Sequence, residues 1–402
     1  MPRLGYTKSR NGCLRCRQRR VKVWLFHPCD EKRPCSACVR HDVRCSLLDN
    51  PPPAGGPSRR ELPAKPTSAQ TAFPYFDKFM LPTGGEREAA WIQDLELMHH
   101  YSVVTSHTMP RAQDELHVWQ KLAPNLSFKY PFIIHQILAV AAFHMAYLEP
   151  ERRSELLLLA SQHQNRSIEG MRAHLANITT ENCHALFMAS SLLLVGAFAS
   201  FANIRSSDSP PQVVVGQRTP TIEDMIDVFI LDRGVASVLH SSEPTIHSGY
   251  FRDLFHFKAH KRVNPFMEQM VKELRALEDQ INQDESISRI VRILVNLEIT
   301  KLLDAAEKAV RTTKDSEMRV ATYWPITIAE DYITLLRQRN EVALLVLVHY
   351  CCILYKAEEN NWFLKGWGIS IASDADKLIS PKWRGAIKWP LEQLAQNVAP
   401  TS

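Results

Sequence analysis

The chain has 402 residues, 45% of them hydrophobic, which suits a small module plus one large globular domain and excludes a wholly disordered protein. Net charge is only +5, but residues 1–60 hold fourteen Lys/Arg against four acids, a balance of +10 that leaves −5 for the remainder. Such asymmetry points to a polyanion-binding head on a mildly acidic body.

Six of the nine cysteines fall in the head, as C-x2-C-x12-C-x5-C-x2-C-x6-C: Cys13, Cys16, Cys29, Cys35, Cys38 and Cys45. The opening residues, Met-Pro-Arg-Leu-Gly-Tyr-Thr-Lys-Ser-Arg, lack the apolar core of a secretory signal. A reducing compartment is therefore expected, and metal binding rather than a disulfide framework. Four thiolates placed tetrahedrally suit Zn²⁺. Six cysteines cannot build two separate four-thiolate sites, but they can if two of them bridge both metals. So small a module has little apolar core, and metal binding would supply most of its folding energy.

The runs Gly12-Cys13-Leu14-Arg15-Cys16-Arg17-Gln18-Arg19-Arg20-Val21-Lys22 and Cys29-Asp30-Glu31-Lys32-Arg33-Pro34-Cys35-Ser36-Ala37-Cys38 resemble the fungal binuclear zinc cluster (Zn2Cys6) family. The resemblance implies two zinc ions with Cys13 and Cys35 bridging. One ion would take Cys13, Cys16, Cys29 and Cys35, the other Cys13, Cys35, Cys38 and Cys45, with Pro34 as the loop proline between the halves. It also implies a helix from Cys16 that enters the DNA major groove and reads a CGG-type triplet. On that reading Arg19 and Arg20 meet base edges, because a guanidinium fork matches guanine O6 and N7. Arg17, Lys22, Lys8 and Arg10 are assigned to phosphates.

The sequence departs from the family at one point. Twelve residues separate Cys16 from Cys29 where the family has six, and removing Val23-Trp24-Leu25-Phe26-His27-Pro28 restores Arg-Val-Lys-Cys-Asp-Glu. The hexapeptide reads as an alternative splice product or a misplaced exon boundary. The other readings are a tolerated bulge and His27 competing with Cys29 as ligand. If the insert disables the cluster, the chain is instead a ligand-sensing or protein-interaction module.

Residues 49–85, with eight prolines and four glycines, read as a disordered linker between a DNA-binding domain at 1–48 and a regulatory domain at 86–402. The linker carries no sustained heptad repeat. The body reads as all-helical. Trp91, Leu95, Met98 and Tyr101 lie at helical spacing. Phe132 to Leu148 reads as a buried helix, Ser154 to Ala176 as an amphipathic one, and Leu186 to Phe201 as a second apolar one. A loop is expected over Ser206–Pro220, then a helix capped by Thr221. Later helices are expected over Pro265–Asn282, Ser286–Thr312, Ile326–Arg337 and Glu341–Glu358.

The body resembles the fungal-specific transcription factor domain, and within it the sterol uptake control proteins. The stretches that carry this are Leu95-Glu96-Leu97-Met98-His99-His100-Tyr101, Asp227-Val228-Phe229-Ile230-Leu231-Asp232-Arg233-Gly234-Val235 and Asn361-Trp362-Phe363-Leu364-Lys365-Gly366-Trp367. The resemblance implies a nuclear regulator of transcription by RNA polymerase II. Its partners would be double-stranded DNA, the transcription machinery, a second copy through the helical domain, and a sterol or other hydrophobic ligand. Phe229, Tyr350, Trp362, Phe363 and Trp367 are the candidate pocket walls. Ordinary helix packing is the better account of any one of them taken singly. His99-His100 and His256/His260 are weak metal candidates, the latter pair lacking the Glu of an H-E-x-x-H site. No G-x-S-x-G, P-loop or dinucleotide glycine pattern is present, and no enzyme activity is expected.

Overall fold

The computed structural model describes residues 13–15, 32–49, 85–109, 116–202, 219–251 and 263–395. The chain divides into two compact units, Met1–Leu81 and Pro82–Ser402. Among the described residues there are helices and no strands.

In the first unit two short helices, α1 (Ser36–Arg40) and α2 (Ser46–Asp49), follow cysteines. Cys35 is the N-cap of α1, and its carbonyl accepts from the amides of Cys38 and Val39 at 3.0 and 3.1 Å. Among its described residues the unit buries Cys13, Cys35, Cys38, Cys45 and Leu47. The linker expected over 49–85 lies almost wholly outside the described residues, as does the Ser206–Pro220 loop except at its end.

The second unit is a helical body. Gly85–Val103 forms α3, and Ala123–Lys129 α4 leads into α5, Pro131–Leu148. Helix α5 is long and apolar enough to cross a membrane, and 72% of it is buried inside the protein, as in a core helix. Arg153–Leu175 (α6) and Cys183–Ala199 (α7) pack on it, followed by α8 (Ile222–Ser241) and the short α9 (Glu243–Ser248). Thr221 starts α8 through a reciprocal cap: the Asp224 carboxylate accepts from the Thr221 amide at 2.8 Å, and Thr221 Oγ1 accepts from the Asp224 amide at 3.5 Å. Asn264, Ser288 and Asn340 cap α10 (Pro265–Gln283), α11 (Arg289–Thr312) and the later α14 (Glu341–Ala357) through their side chains.

The helix expected over Ile326–Arg337 is two helices, α12 (Ser316–Thr327) and α13 (Glu330–Arg337), with Ile328 and Ala329 extended between them. Pro325 lacks the amide that would bond to the Ala321 carbonyl. The Tyr350 hydroxyl donates to that carbonyl instead, at 2.6 Å. Helix α11 closes the break from outside. Lys301 Nζ donates to the last carbonyl of α12, Thr327, at 2.6 Å, and the buried Glu298 carboxylate accepts from the Ala329 amide at 3.1 Å.

Helix α3 also differs from the expected pattern. Among its described side chains Leu97 and Tyr101 are the buried ones, Met98 is half-buried, and Trp91 and Leu95 are more than half exposed. Helical spacing identified an apolar set, but the buried face is rotated from it. The chain ends in α15 (Trp367–Asp376) and α16 (Lys388–Ala395). Gly368 lets α15 cross α14 closely, since a Cβ there would stand 2.5 Å from the Cys351 carbonyl oxygen.

Candidate metal centre and ligand cavity

The first unit gathers four of the six predicted metal ligands. The Sγ atoms of Cys13, Cys35, Cys38 and Cys45 all lie within 4.8 Å of one another, and all four residues are buried. Cys13 Sγ stands 3.6 Å from Cys38 Sγ and 3.8 Å from Cys35 Sγ. A tetrahedral shell with Zn–S near ~2.3 Å requires sulfurs about 3.8 Å apart, so the donor set fits zinc in both element and spacing. Local folding explains the convergence. Cys35 and Cys38 stand one helical turn apart across α1, and the turn after it returns the Val43 amide to the Cys38 carbonyl at 3.1 Å. The Leu14 amide donates to Ser46 Oγ at 2.7 Å and ties the first cysteine to the last. Burial raises the Cys38 thiol above its ordinary value, and a cation among the sulfurs reverses that preference.

Cys16, Cys29, Lys8, Arg10, Arg17, Arg19, Arg20 and Lys22 lie outside the described residues, as do the hexapeptide 23–28 and His256/His260. Among the described residues the four-cysteine group is the one arrangement of three or more His, Cys, Asp or Glu spaced for a metal. His100 does not join such a group; its Nε2 sits 3.3 Å from His144 Nδ1.

In the helical body, Phe363 alone of the five predicted pocket residues lines a cavity of about 550 Å³. Phe229 and Tyr350 pack around Trp324, whose ring centroid lies 5.9 and 4.7 Å from theirs. Trp367 is fully buried, its Nε1 donating to the Phe198 carbonyl at 2.9 Å. Trp362 stacks on His144 and donates to Thr108 Oγ1 at 3.0 Å. The cavity walls come mainly from α7, α8 and α12, with Leu194, Val195, Phe198, Val235, Ala236 and Met318 among them. Lys308 and Arg319 also line it, each about 5.5 Å from the Tyr323 ring.

One cavity residue stands apart from these. Asp232 is 2% exposed, and burial holds its carboxyl well above the usual carboxylate range. It has no hydrogen-bond or ion-pair partner among the described residues. The sequence does carry a signal for it, because Asp232 shares one helical face with Met225, Val228, Val235 and Ala236.

Residues 11–54 match the family model of the fungal Zn(2)-Cys(6) binuclear cluster domain. The four-sulfur group thus belongs to a zinc-binding cysteine cluster. Residues 96–211 match the fungal specific transcription factor domain. With both matches in this order, the chain is similar to Zn2Cys6 fungal transcription factors over those two stretches. It is 32% identical over 250 residues to a Zn(2)-C6 fungal-type transcription factor of Aspergillus fumigatus, covering 60% of this chain and 59% of that protein. A Zn(2)-C6 fungal-type transcription factor of Gibberella zeae is 25% identical over 97% of this chain and 86% of its own length. Sterol uptake control protein 2 of Candida albicans is 32% identical over 40% of this chain and 22% of that protein. The chain therefore spans a little over half of the Aspergillus relative.

Proposed function

We propose that the protein is a nuclear, sequence-specific DNA-binding regulator of RNA polymerase II transcription. Residues 1–48 form the DNA-binding domain, 49–85 the linker and 86–402 the regulatory domain. The observation that carries the reading is the convergence of four thiols at metal-shell spacing within a strongly basic segment. Two zinc ions are held by Cys13, Cys16, Cys29, Cys35, Cys38 and Cys45. Zinc supplies the structural cross-link, and the chain's own residues do the recognition. Arg19 and Arg20 read guanines of a CGG-type site, while Lys8, Arg10, Arg17 and Lys22 neutralise phosphates.

The helical body regulates this head by taking a sterol or another apolar ligand. The cavity of about 550 Å³ and the similarity to the Candida sterol uptake control protein support that part of the reading. A second copy docked through the body and the transcription machinery are the remaining partners.

The test is native mass spectrometry and duplex binding for the full chain and for a version lacking Val23 to Pro28. The shorter version should carry two zinc ions and bind a CGG-bearing duplex more tightly at one salt concentration. Arg20→Ala should cost about 1–3 kcal/mol at one base position, whereas Lys22→Ala should weaken all sequences alike and flatten the salt slope. Zero or one zinc in the shorter version defeats the two-metal assignment, and uniform loss in both mutants defeats base reading by Arg20.

A further inference from the structure

A buried carboxyl group on a largely apolar cavity wall calls for something to meet it. Asp232 lies on α8 between Phe229, which is buried in the aromatic core, and Val235, which lines the cavity. An acid buried without a partner opposes folding, because its hydration is lost and nothing replaces it. The other cavity-lining residues with a charged or imidazole side chain, Glu243, His240, His247, Lys308 and Arg319, are exposed or half-buried as residues. Asp232 is thus the one buried acid among the described residues of the cavity wall.

We propose that Asp232 is the polar anchor of a ligand site in this cavity, which takes an uncharged apolar molecule through a hydroxyl group. The inference rests on the reading of the body as a receptor for an apolar ligand and adds the chemistry by which the ligand is chosen. The volume, about 550 Å³, is within the range of about 300–1,000 Å³ that holds a drug-sized molecule. Leu194, Val195, Phe198, Val235 and Phe363 present aliphatic and aromatic surface to its frame. A hydroxyl donates one hydrogen bond and accepts another, and a protonated carboxyl does the same, so the two satisfy each other with no net charge buried. Burial favours that protonated form of Asp232. An amine would require both charges to be stripped of water, which makes the alcohol the better match.

The test uses the full zinc-loaded chain and three probes delivered from cyclodextrin: cholesterol, its 3-deoxy counterpart and its 3-amino analogue. The wild type should bind the alcohol at least about tenfold more tightly than the deoxy compound, the factor that corresponds to one buried hydrogen bond of about 1.4 kcal/mol. In Asp232→Leu the preference should collapse to within about threefold, while far-UV circular dichroism and thermal unfolding show the body folded and no less stable, since an unpartnered acid has been removed. Asp232→Asn, which keeps a donor and an acceptor, should retain part of the preference. Equal binding of alcohol and deoxy compound by the wild type overturns the anchor without recourse to any variant, and leaves the apolar cavity standing. Retention of the preference by Asp232→Leu also overturns it, and tighter binding of the amine overturns the uncharged class. Failure of the wild type to bind any of the three overturns both the anchor and the receptor reading.

Discussion

The cysteine module and the helical body reach a buried interior by opposite routes. Among the described residues of the module the interior is four cysteines and one leucine, and its two described helices have five and four residues, far too short to persist alone. In the body the interior is a continuous apolar core. Helix α14 alone buries fifteen of its seventeen residues there, including Cys351 and Cys352. Cysteine is buried in both units, yet its environment differs. In the body, burial without nearby cationic partners pushes the Cys352 thiol up to about 12 and makes it an inert hydrophobe. In the module four such groups meet at one point, where a divalent cation converts their mutual repulsion into the main cohesive force. The same residue type is filler in one unit and framework in the other, and what decides is how many converge.

Chelation should produce the largest effect and divide the two units most sharply. Removing zinc should abolish duplex binding and unfold residues 10–48, while the helical circular dichroism of the body persists. Loss of the body's helicity on chelation would mean that the units do not fold independently.

The reverse perturbation is Trp324→Ala. The indole is fully buried between Phe229, Tyr332 and Tyr350, and its Nε1 donates to the Glu298 carbonyl at 3.2 Å. Truncation should cost about 3–5 kcal/mol in urea denaturation of the body and leave the zinc content unchanged.

Acid should weaken both units for different reasons. His349 is fully buried, its Nδ1–H donating to the Leu345 carbonyl at 2.8 Å, and burial lowers it to about 4. His144 is lowered by burial, and secondarily by His100, to about 3. Both values fall below the free value of 6.5, so the unfolded chain takes up protons first. Their contribution is intact above pH 6.5 and drains away as pH falls towards 4 and then 3. Thermal unfolding between pH 7 and pH 4 should show the decline, and His349→Leu should flatten it. Added zinc should rescue the module at mildly acidic pH, where protons compete for its thiolates, and should not rescue the body.

The smallest effect is expected from Asn340→Ala. The Asn340 side chain accepts from the amides of Val342 and Ala343 at 3.1 and 3.3 Å. Losing this cap of α14 should cost about 1 kcal/mol, read as a shift in the urea midpoint of the body with the slope unchanged.

The two units were also unequally legible. Metal ligands close together in sequence are written in the spacing itself, so Cys13, Cys35, Cys38 and Cys45 could be grouped from the chain alone. A helix start with a local chemical cause, that of α8 at Thr221, was equally readable. What failed depended on partners far along the chain. Tyr350 is an aromatic in an apolar helix, and only its placement against Pro325's lost hydrogen bond explains it. Trp91 and Leu95 repeat at helical spacing, but the direction of the core is set by helices they do not adjoin in sequence. Asp232 could have been found by asking why an acid sits on the buried face of α8.

The bond from Trp362 to Thr108 joins residues 254 positions apart, and Trp367 reaches back to Phe198 in the same way. During synthesis at ~5–20 residues per second, roughly 13–50 s separate the emergence of Thr108 from that of Trp362. The cysteine module leaves the ribosome earlier still and needs only metal to finish. A nascent chain can therefore carry a completed head while the apolar faces of α5 and α7 still wait for their last cover. Whatever shields those faces in that interval, chaperone or ribosome surface, meets a molecule whose head is already folded.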